Sequence, residues 1–246
     1  MSTVDASPSN NGTGSDAWSR SWTHISVDRR SAAHCRVTFD HPPINTITAT
    51  TVAELAELVG LIEQDSDLNV VVFDSANVDF YLAHDDLEHD PGKSAAPEVG
   101  PTGLPGWIDV LVRLSRAPVV SIASIRGRAR GAGSEFVLAC DLRFASRENT
   151  LLGRFDVGLG VVPGGGPMAR LARLVGRGRA LEILLVADDL DGPRAERYGY
   201  VNRVVADNQL DAEVEAIAER LESLDHDAIA RTKHWVDQVI ESLPDA

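Results

Sequence analysis

The chain has 246 residues and a mass of 26.4 kDa, enough for one large domain carrying a tail or for two small ones. Its 23 Lys and Arg stand against 37 Asp and Glu, a formal charge of -14, which argues against a nucleic-acid partner. No apolar run approaches the roughly 18 residues a membrane span requires, and residues 1–20, rich in Ser, Asn, Gly and Asp, hold no apolar signal-peptide core; a cytoplasmic location with no membrane partner is the expectation.

Residues 1–20 read as a disordered tail and residues 21–246 as a single domain. His24 to Val27 and Cys35 to Phe39 are expected to be adjacent strands joined through Asp28-Arg29-Arg30-Ser31. From Ala49, the positions Val52, Leu55, Ala56, Leu58, Val59 and Ile62 recur at helical spacing. Val70-Val71-Val72-Phe73 is a continuous apolar strand of the kind buried on both faces. Residues 88–106, rich in Asp, Pro and Gly, form the longest unpatterned stretch, and such loops commonly serve as lids. A helix over Trp107 to Leu114 leads into an apolar strand, Val119 to Ile125. A glycine-rich turn then opens a helix that ends near Cys140, and Leu142 to Ala145 makes a further strand. Helices follow at Met168 to Leu174, Ala180 to Val186, Pro193 to Tyr198, Leu210 to Leu224 and Ala228 to Ile240. Strands alternating with helices mean an α/β domain with parallel pairing. Cys35 and Cys140 have no CxxC spacing, and are expected to be buried small apolar residues in a reducing compartment.

The chemistry concentrates at Gly131-Ala132-Gly133-Ser134-Glu135. A strand, a turn of small residues and a helix start present free backbone N–H groups to negative charge. Gly131 and Gly133 let a ligand approach the main chain. Glu135 sits in the helix's first turn, where an acid either complements the macrodipole or does proton chemistry beside the turn. Phe136 takes the place of the third glycine of a dinucleotide fingerprint, no GK[ST] follows a glycine loop, and no GxSxG elbow occurs. Arg126, Arg128 and Arg130 form a basic cluster, readable as a solvated strand end or as a contact to an anionic handle. His84, Asp85, Asp86, Glu88 and His89 match no established metal-ligand spacing, so no metal is expected. Leu152 to Gly160 carries a second carboxylate, Asp156, in a short turn, and Val162-Pro163-Gly164-Gly165-Gly166 is a further turn into a helix.

These segments, in this order, resemble the enoyl-CoA hydratase/isomerase (crotonase) superfamily. The resemblance runs from about Ile25 to Trp235 and is carried by Arg126–Asp141 (RGRARGAGSEFVLACD) and Val161–Gly176 (VVPGGGPMARLARLVG), then by Arg179-Ala180-Leu181-Glu182 and Ala195–Val201 (AERYGYV), with an early turn at Pro43-Ile44-Asn45. It implies a crotonase-like spiral of ββα units, here with a shortened C-terminal helical region, and a homo-oligomer, trimer or hexamer. It also implies an acyl-CoA thioester substrate, with coenzyme A entering as part of the substrate and no separate cofactor. By position, the N–H groups of Asp85 and Ala132 would form the oxyanion hole; Glu135, as principal acid/base, and Asp156 would match the two catalytic glutamates; and Ile44, Ala83, Asp86, Leu87, Gly131 and Gly133 would line the substrate. Asp156 is one methylene shorter than the family's glutamate, which draws its carboxylate back by roughly 1.5 Å. Phe155 stands where proline is usual, Ala132 and His84 replace glycines, and Asp85 places a carboxylate beside a site meant for an anion. Hydration of an enoyl-CoA is the leading expectation. Isomerisation, decarboxylation or thioester hydrolysis, or acyl-CoA binding without catalysis, are the alternatives.

Overall fold

The computed structural model describes residues 18–84, 99–164 and 166–242. It is an α/β structure whose strands and helices alternate through the first two thirds and give way to helices at the C-terminal end, the architecture of a crotonase-like spiral. Strands β1 (Ile25–Arg29) and β2 (His34–Phe39) form an antiparallel pair. Helix α1 (Ala49–Gln64) starts at Thr48, whose hydroxyl and that of Thr51 cap each other's backbone N–H groups. Strand β3 (Val70–Ser75) runs parallel to β2 on one side and to β5 (Val120–Arg130) on the other. Its four-residue apolar run is also covered on both faces, Val71 and Phe73 lying in the main core and Val70 and Val72 in a second cluster.

Strand β5 continues past its apolar half. It shifts register against β6 (Leu142–Gly153) between the pairs Ile125↔Ala145 and Gly127↔Thr150. Beyond the shift it also pairs with the short β4 (Phe80–Leu82). Gly127 makes the crossing possible: its φ is 72°, and a Cβ there would sit 2.3 Å from the backbone of Asp79. The Arg126–Arg130 segment thus belongs to a strand, and its side chains are engaged within the chain. Arg126 pairs with Asp207 and Asp211, Arg130 with Asp189, and Arg128 lies over the Phe80 ring. Of the two readings of these arginines, the strand end is the one the fold favours over an anion contact, since the chain's own carboxylates hold two of the three.

Strand β6 runs to Gly153, eight residues beyond the expected Ala145. Its apolar spacing is interrupted by Arg147-Glu148-Asn149, which hides the second half from a periodicity reading. The edge strands β7 (Leu190–Asp191) and β8 (Arg203–Val205) complete an eight-stranded sheet in the order β1-β2-β3-β5-β6-β7, with β4 on β5 and β8 on β6. Helices α2 (Gly106–Arg116), α3 (Ala132–Ala139), α4 (Pro167–Val175), α5 (Arg177–Val186) and α6 (Gly192–Tyr198) follow in turn. Two C-terminal helices close the chain, α7 (Leu210–Glu222) and α8 (His226–Ser242). Leu210, Val214 and Ala218 of α7 pack on Val70, Val72, Ile122 and Phe144 of the sheet. Helix α8 is fastened by Lys233, which donates to the carbonyl of Val119 at 3.0 Å and to Asp141 at 2.8 Å.

The main core lies on the opposite face, where Phe39, Phe73, Tyr81 and Phe136 meet at ring distances of 5.0 to 6.3 Å. Cys35 and Cys140 are both buried and free, and burial pushes the Cys35 thiol up to about 12, the inert behaviour expected of core thiols.

His34 is buried at the start of β2, 3.8 Å from both Glu215 and Glu222, with Arg30 and Arg36 also near. Burial outweighs the two carboxylates and lowers its pKa below the ordinary value; His24 shifts the same way, through burial and then the stacked His41. Because both imidazoles are favoured in their neutral form in the fold, the unfolded chain takes up more protons just below about pH 6.5. Stability is therefore predicted to fall as pH drops from about 6.5 towards 5. Melting temperatures across that range should show the decline, and His34→Gln should flatten part of it.

Candidate functional site

The site is built where four pieces of chain meet. β5 ends at Arg130, and the N–H of Gly131 reaches the carbonyl of Gly153 at the end of β6 at 3.2 Å. Gly131 takes φ 54° and ψ -121°, a conformation natural to glycine. A Cβ on it would lie 3.2 Å from the His84 side chain and 3.5 Å from the Phe155 ring. Helix α3 then begins at Ala132. Gly133 donates to the carbonyl of Ala83 at 2.9 Å, Ala83 donates to Asn45 at 3.0 Å, and Ile47 donates to His84 at 3.2 Å. The turn after β2, the end of β4 and the start of α3 are thereby held as one unit.

Asn45 anchors that unit. It is buried, has φ 54°, donates its amide to Ser75 Oγ, Phe80 O and Tyr81 O, and accepts from the His41 N–H at 2.7 Å. A left-handed conformation is one that Asn, more than most side-chain-bearing residues, adopts readily. At the other end of α3, Arg143 bonds to the carbonyls of Val137 and Cys140, satisfying orphan acceptors at the helix C-terminus. Ser134 shares a 2.6 Å hydrogen bond with Tyr200, whose phenol is pushed up to about 12 by burial.

The first-turn N–H groups of α3 point out of its N-terminus. Gly133's is taken by Ala83; among the described residues, none accepts from Ala132. One turn on, Glu135 is 5% exposed. Its Oε1 accepts from Arg154 Nη2 at 2.9 Å and its Oε2 from Trp107 Nε1 at 2.7 Å. Arg154, 1% exposed, follows the last residue of β6. Its Nη1 donates to the carbonyl of Gly131 at 2.6 Å, and its Nη2 donates also to Asp156 Oδ1 at 2.9 Å. Asp156 opens a 3-10 turn, Val157–Leu159; its Oδ2 is buried and accepts no hydrogen bond among the described residues. Arg170 of α4 is a further, half-buried cation, its proton loosened by desolvation and held by the charge of Glu135. Trp107 is aimed by the start of α2, where Asp109 accepts from both the N–H and the hydroxyl of Thr102.

The structure thus brings Glu135, Asp156 and the carbonyl of Gly131 together on Arg154, with Ala132 and Gly133 following Gly131 and Ala83 hydrogen-bonded to Gly133. Ile44 is half-buried on the adjoining turn. Asp85, Asp86 and Leu87 lie outside the described residues. His84 packs edge-on against Phe155, ring centres 5.7 Å apart. Among the described residues no group of three His, Cys, Asp or Glu is arranged to hold a metal ion, and no helix is long and apolar enough to cross a membrane. Sequence reasoning missed Arg154 and Trp107. The available signal was an arginine two residues from a candidate acid, at the end of a strand that periodicity cut short.

Comparison with known proteins gives a consistent picture. The family model described as enoyl-CoA hydratase/isomerase matches residues 29–244. A short-chain-enoyl-CoA hydratase from Clostridium acetobutylicum is 32% identical over 203 residues, 82% of this chain and 77% of that protein. A solved structure of a candidate enoyl-CoA hydratase from Streptomyces avermitilis superposes with a TM-score of 0.83 at 41% identity, covering 92% of this chain and 81% of that one. The structure of Pseudomonas aeruginosa DspI gives 0.83 at 28% identity, covering 92% of both chains.

A Cβ on Gly133 would lie 1.9 Å from the carbonyl oxygen of Leu82 and 2.9 Å from that of Ala83, both backbone atoms that cannot yield as a side chain does. Gly133→Ala is therefore predicted to destabilise the fold by about 2 kcal/mol or more, the scale of core overpacking. Urea unfolding of the variant against wild type measures it.

Proposed function

Because the chain belongs to the enoyl-CoA hydratase/isomerase family, we propose that it is an enzyme of that class acting on CoA thioesters, and that its reaction is the addition of water across the double bond of an enoyl-CoA. The single observation that carries this reading is the juxtaposition at the head of α3: an N–H of Ala132 without an acceptor among the described residues, and two carboxylates, Glu135 and Asp156, gathered on one nitrogen of Arg154.

Attack of water on the β-carbon drives electrons onto the thioester oxygen. Backbone N–H groups fixed at a helix N-terminus stabilise that charge as it develops, because they need no reorientation during the step. Ala132 supplies one donor in this proposal and Asp85 the other. The carboxylate pair suits the handling of the water itself, since one acid orients it while the other moves a proton, the division of labour of general acid–base catalysis. Asp156, though short, is tied to the same guanidinium nitrogen as Glu135, which supports placing it in the reaction. Ile44, Ala83, Asp86, Leu87, Gly131 and Gly133 line the thioester in this reading. A homo-oligomer, trimer or hexamer, completes the proposal; the exposed Leu159, Val161, Val162, Leu185 and Val186 support it.

Purified protein should be incubated with a panel of enoyl-CoA esters and the products weighed by mass spectrometry. Gain of one water is the expected product. Glu135→Gln and Asp156→Ala should each slow its formation by at least about 100-fold, the usual weight of a positioned acid or base. An isomer of unchanged mass, lost in Glu135→Gln and retained in Asp156→Ala, would redirect the assignment to isomerisation. Full turnover in both variants would sink it.

A further inference from the structure

Arg154 is buried more completely than either acid it serves, at 1% side-chain exposure against 6% for Glu135 and 18% for Asp156. It also holds the carbonyl of Gly131, the residue immediately before the proposed oxyanion donor Ala132. A planar fork can engage a carbonyl with one terminal nitrogen and two carboxylates with the other; a lysine ammonium is a point charge on a flexible stem and offers no such geometry.

Hydrogen bonding around the two acids is unequal. Both oxygens of Glu135 already accept an N–H, from Arg154 and from Trp107. Asp156 has one oxygen on Arg154 and the other, Oδ2, buried without a donor among the described residues. Asp156 Oδ2 is therefore the oxygen of the pair left open to a water, whereas each oxygen of Glu135 already holds a donor.

Within the two-carboxylate scheme of the hydration reading above, on which this rests, we infer that Arg154 is a positioning residue: its guanidinium sets where Glu135, which orients the water, and Asp156, whose Oδ2 takes the proton, stand relative to each other and to the carbonyl of Gly131. The step balances. The water oxygen bonds to the β-carbon as one of its O–H bonds breaks, the proton passes to Asp156 Oδ2, and the π electrons move onto the thioester oxygen held by the backbone donors. Collapse of that enolate takes the proton from Asp156 to the α-carbon and returns the aspartate ionised.

The test compares wild type, Arg154→Met, Arg154→Lys, Asp156→Asn and the Arg154→Met/Asp156→Asn double variant on the same enoyl-CoA, with melting curves to confirm folding. Arg154→Met is expected to lower kcat by about 100-fold, the cost of a misplacement near 1 Å, while KM changes little, because the guanidinium touches no part of the bound thioester in this scheme. Arg154→Lys should recover only part of kcat. Asp156→Asn should lose at least as much as Arg154→Met. The double variant should be no slower than Asp156→Asn alone, since residues acting through one another are not additive. If Arg154→Met does not fold, the Lys and Asn variants carry the test. Hydrate formed at the wild-type rate by Asp156→Asn, or losses that multiply in the double variant, would overturn this inference and leave the hydration reading standing. Absence of hydrate from wild type itself would overturn both.

Discussion

One buried guanidinium sets the terms for the whole site. Arg154 is nearly inaccessible to water, and so is Glu135. Taking both charges out of water costs several kcal/mol for each ion, recovered only where the geometry is good and the remaining donors and acceptors are satisfied. Here Nη1 takes a backbone carbonyl, Nη2 two carboxylates, and Trp107 the far oxygen of Glu135, so the cost is met in part: Arg154 Nε and Asp156 Oδ2 are buried without a partner among the described residues. Two carboxylates this close would repel each other without a cation between them. The arginine makes the pair tolerable, and it also fixes the end of β6 against the beginning of α3, since its three acceptors belong to those two elements' flanks.

The second constraint is the close approach of α3 to the chain leaving β4. Gly133 can come within hydrogen-bonding distance of Ala83 only because no side chain intervenes. That contact carries through Ala83 to Asn45 and through His84 to Ile47, so the loop bearing half of the proposed oxyanion hole is referenced to the helix bearing the other half. Preorganised donors are effective in catalysis to the extent that nothing must move to aim them. A chain of backbone hydrogen bonds between two rigid elements is a direct way to achieve that.

Much of this was legible in the amino-acid order. The apolar strand feeding a small-residue turn, with an acid in the first helical turn, pointed to the turn at 131–133 and to Glu135 by local rules that need no tertiary information, while Ala132 as a proposed donor came from the family resemblance. The continuous apolar run at Val70 revealed a doubly covered parallel strand for the same reason. Arg154 was illegible because its meaning is wholly tertiary: an arginine is seldom buried unless paired, and one of its partners, Glu135, lies nineteen residues upstream on another element. The arginines at 126 and 130 misled in the opposite direction. Their partners, Asp189, Asp207 and Asp211, come from distant segments that fold back over β5, so two of the three arginines that offered an anion contact are paired within the chain. Short edge strands such as β4 and β7, at three and two residues, carry too little pattern to be seen from periodicity.

In the proposed mechanism the short acid at 156 is the feature that sequence reasoning counts most against a two-acid site. Judged by side-chain length alone, an aspartate in place of a glutamate withdraws the carboxylate and should disable a two-acid mechanism. In the fold, Asp156 Oδ1 and Glu135 Oε1 are both 2.9 Å from the same nitrogen, so the spacing of the pair is set by the guanidinium and the backbone that carries it. A longer acid at 156 would have to fold back on itself to keep the same bond to Arg154, which would re-aim its second oxygen. The aspartate therefore belongs to this arrangement, with its short reach matched to an arginine two residues before it and a helix N-terminus held close by glycine.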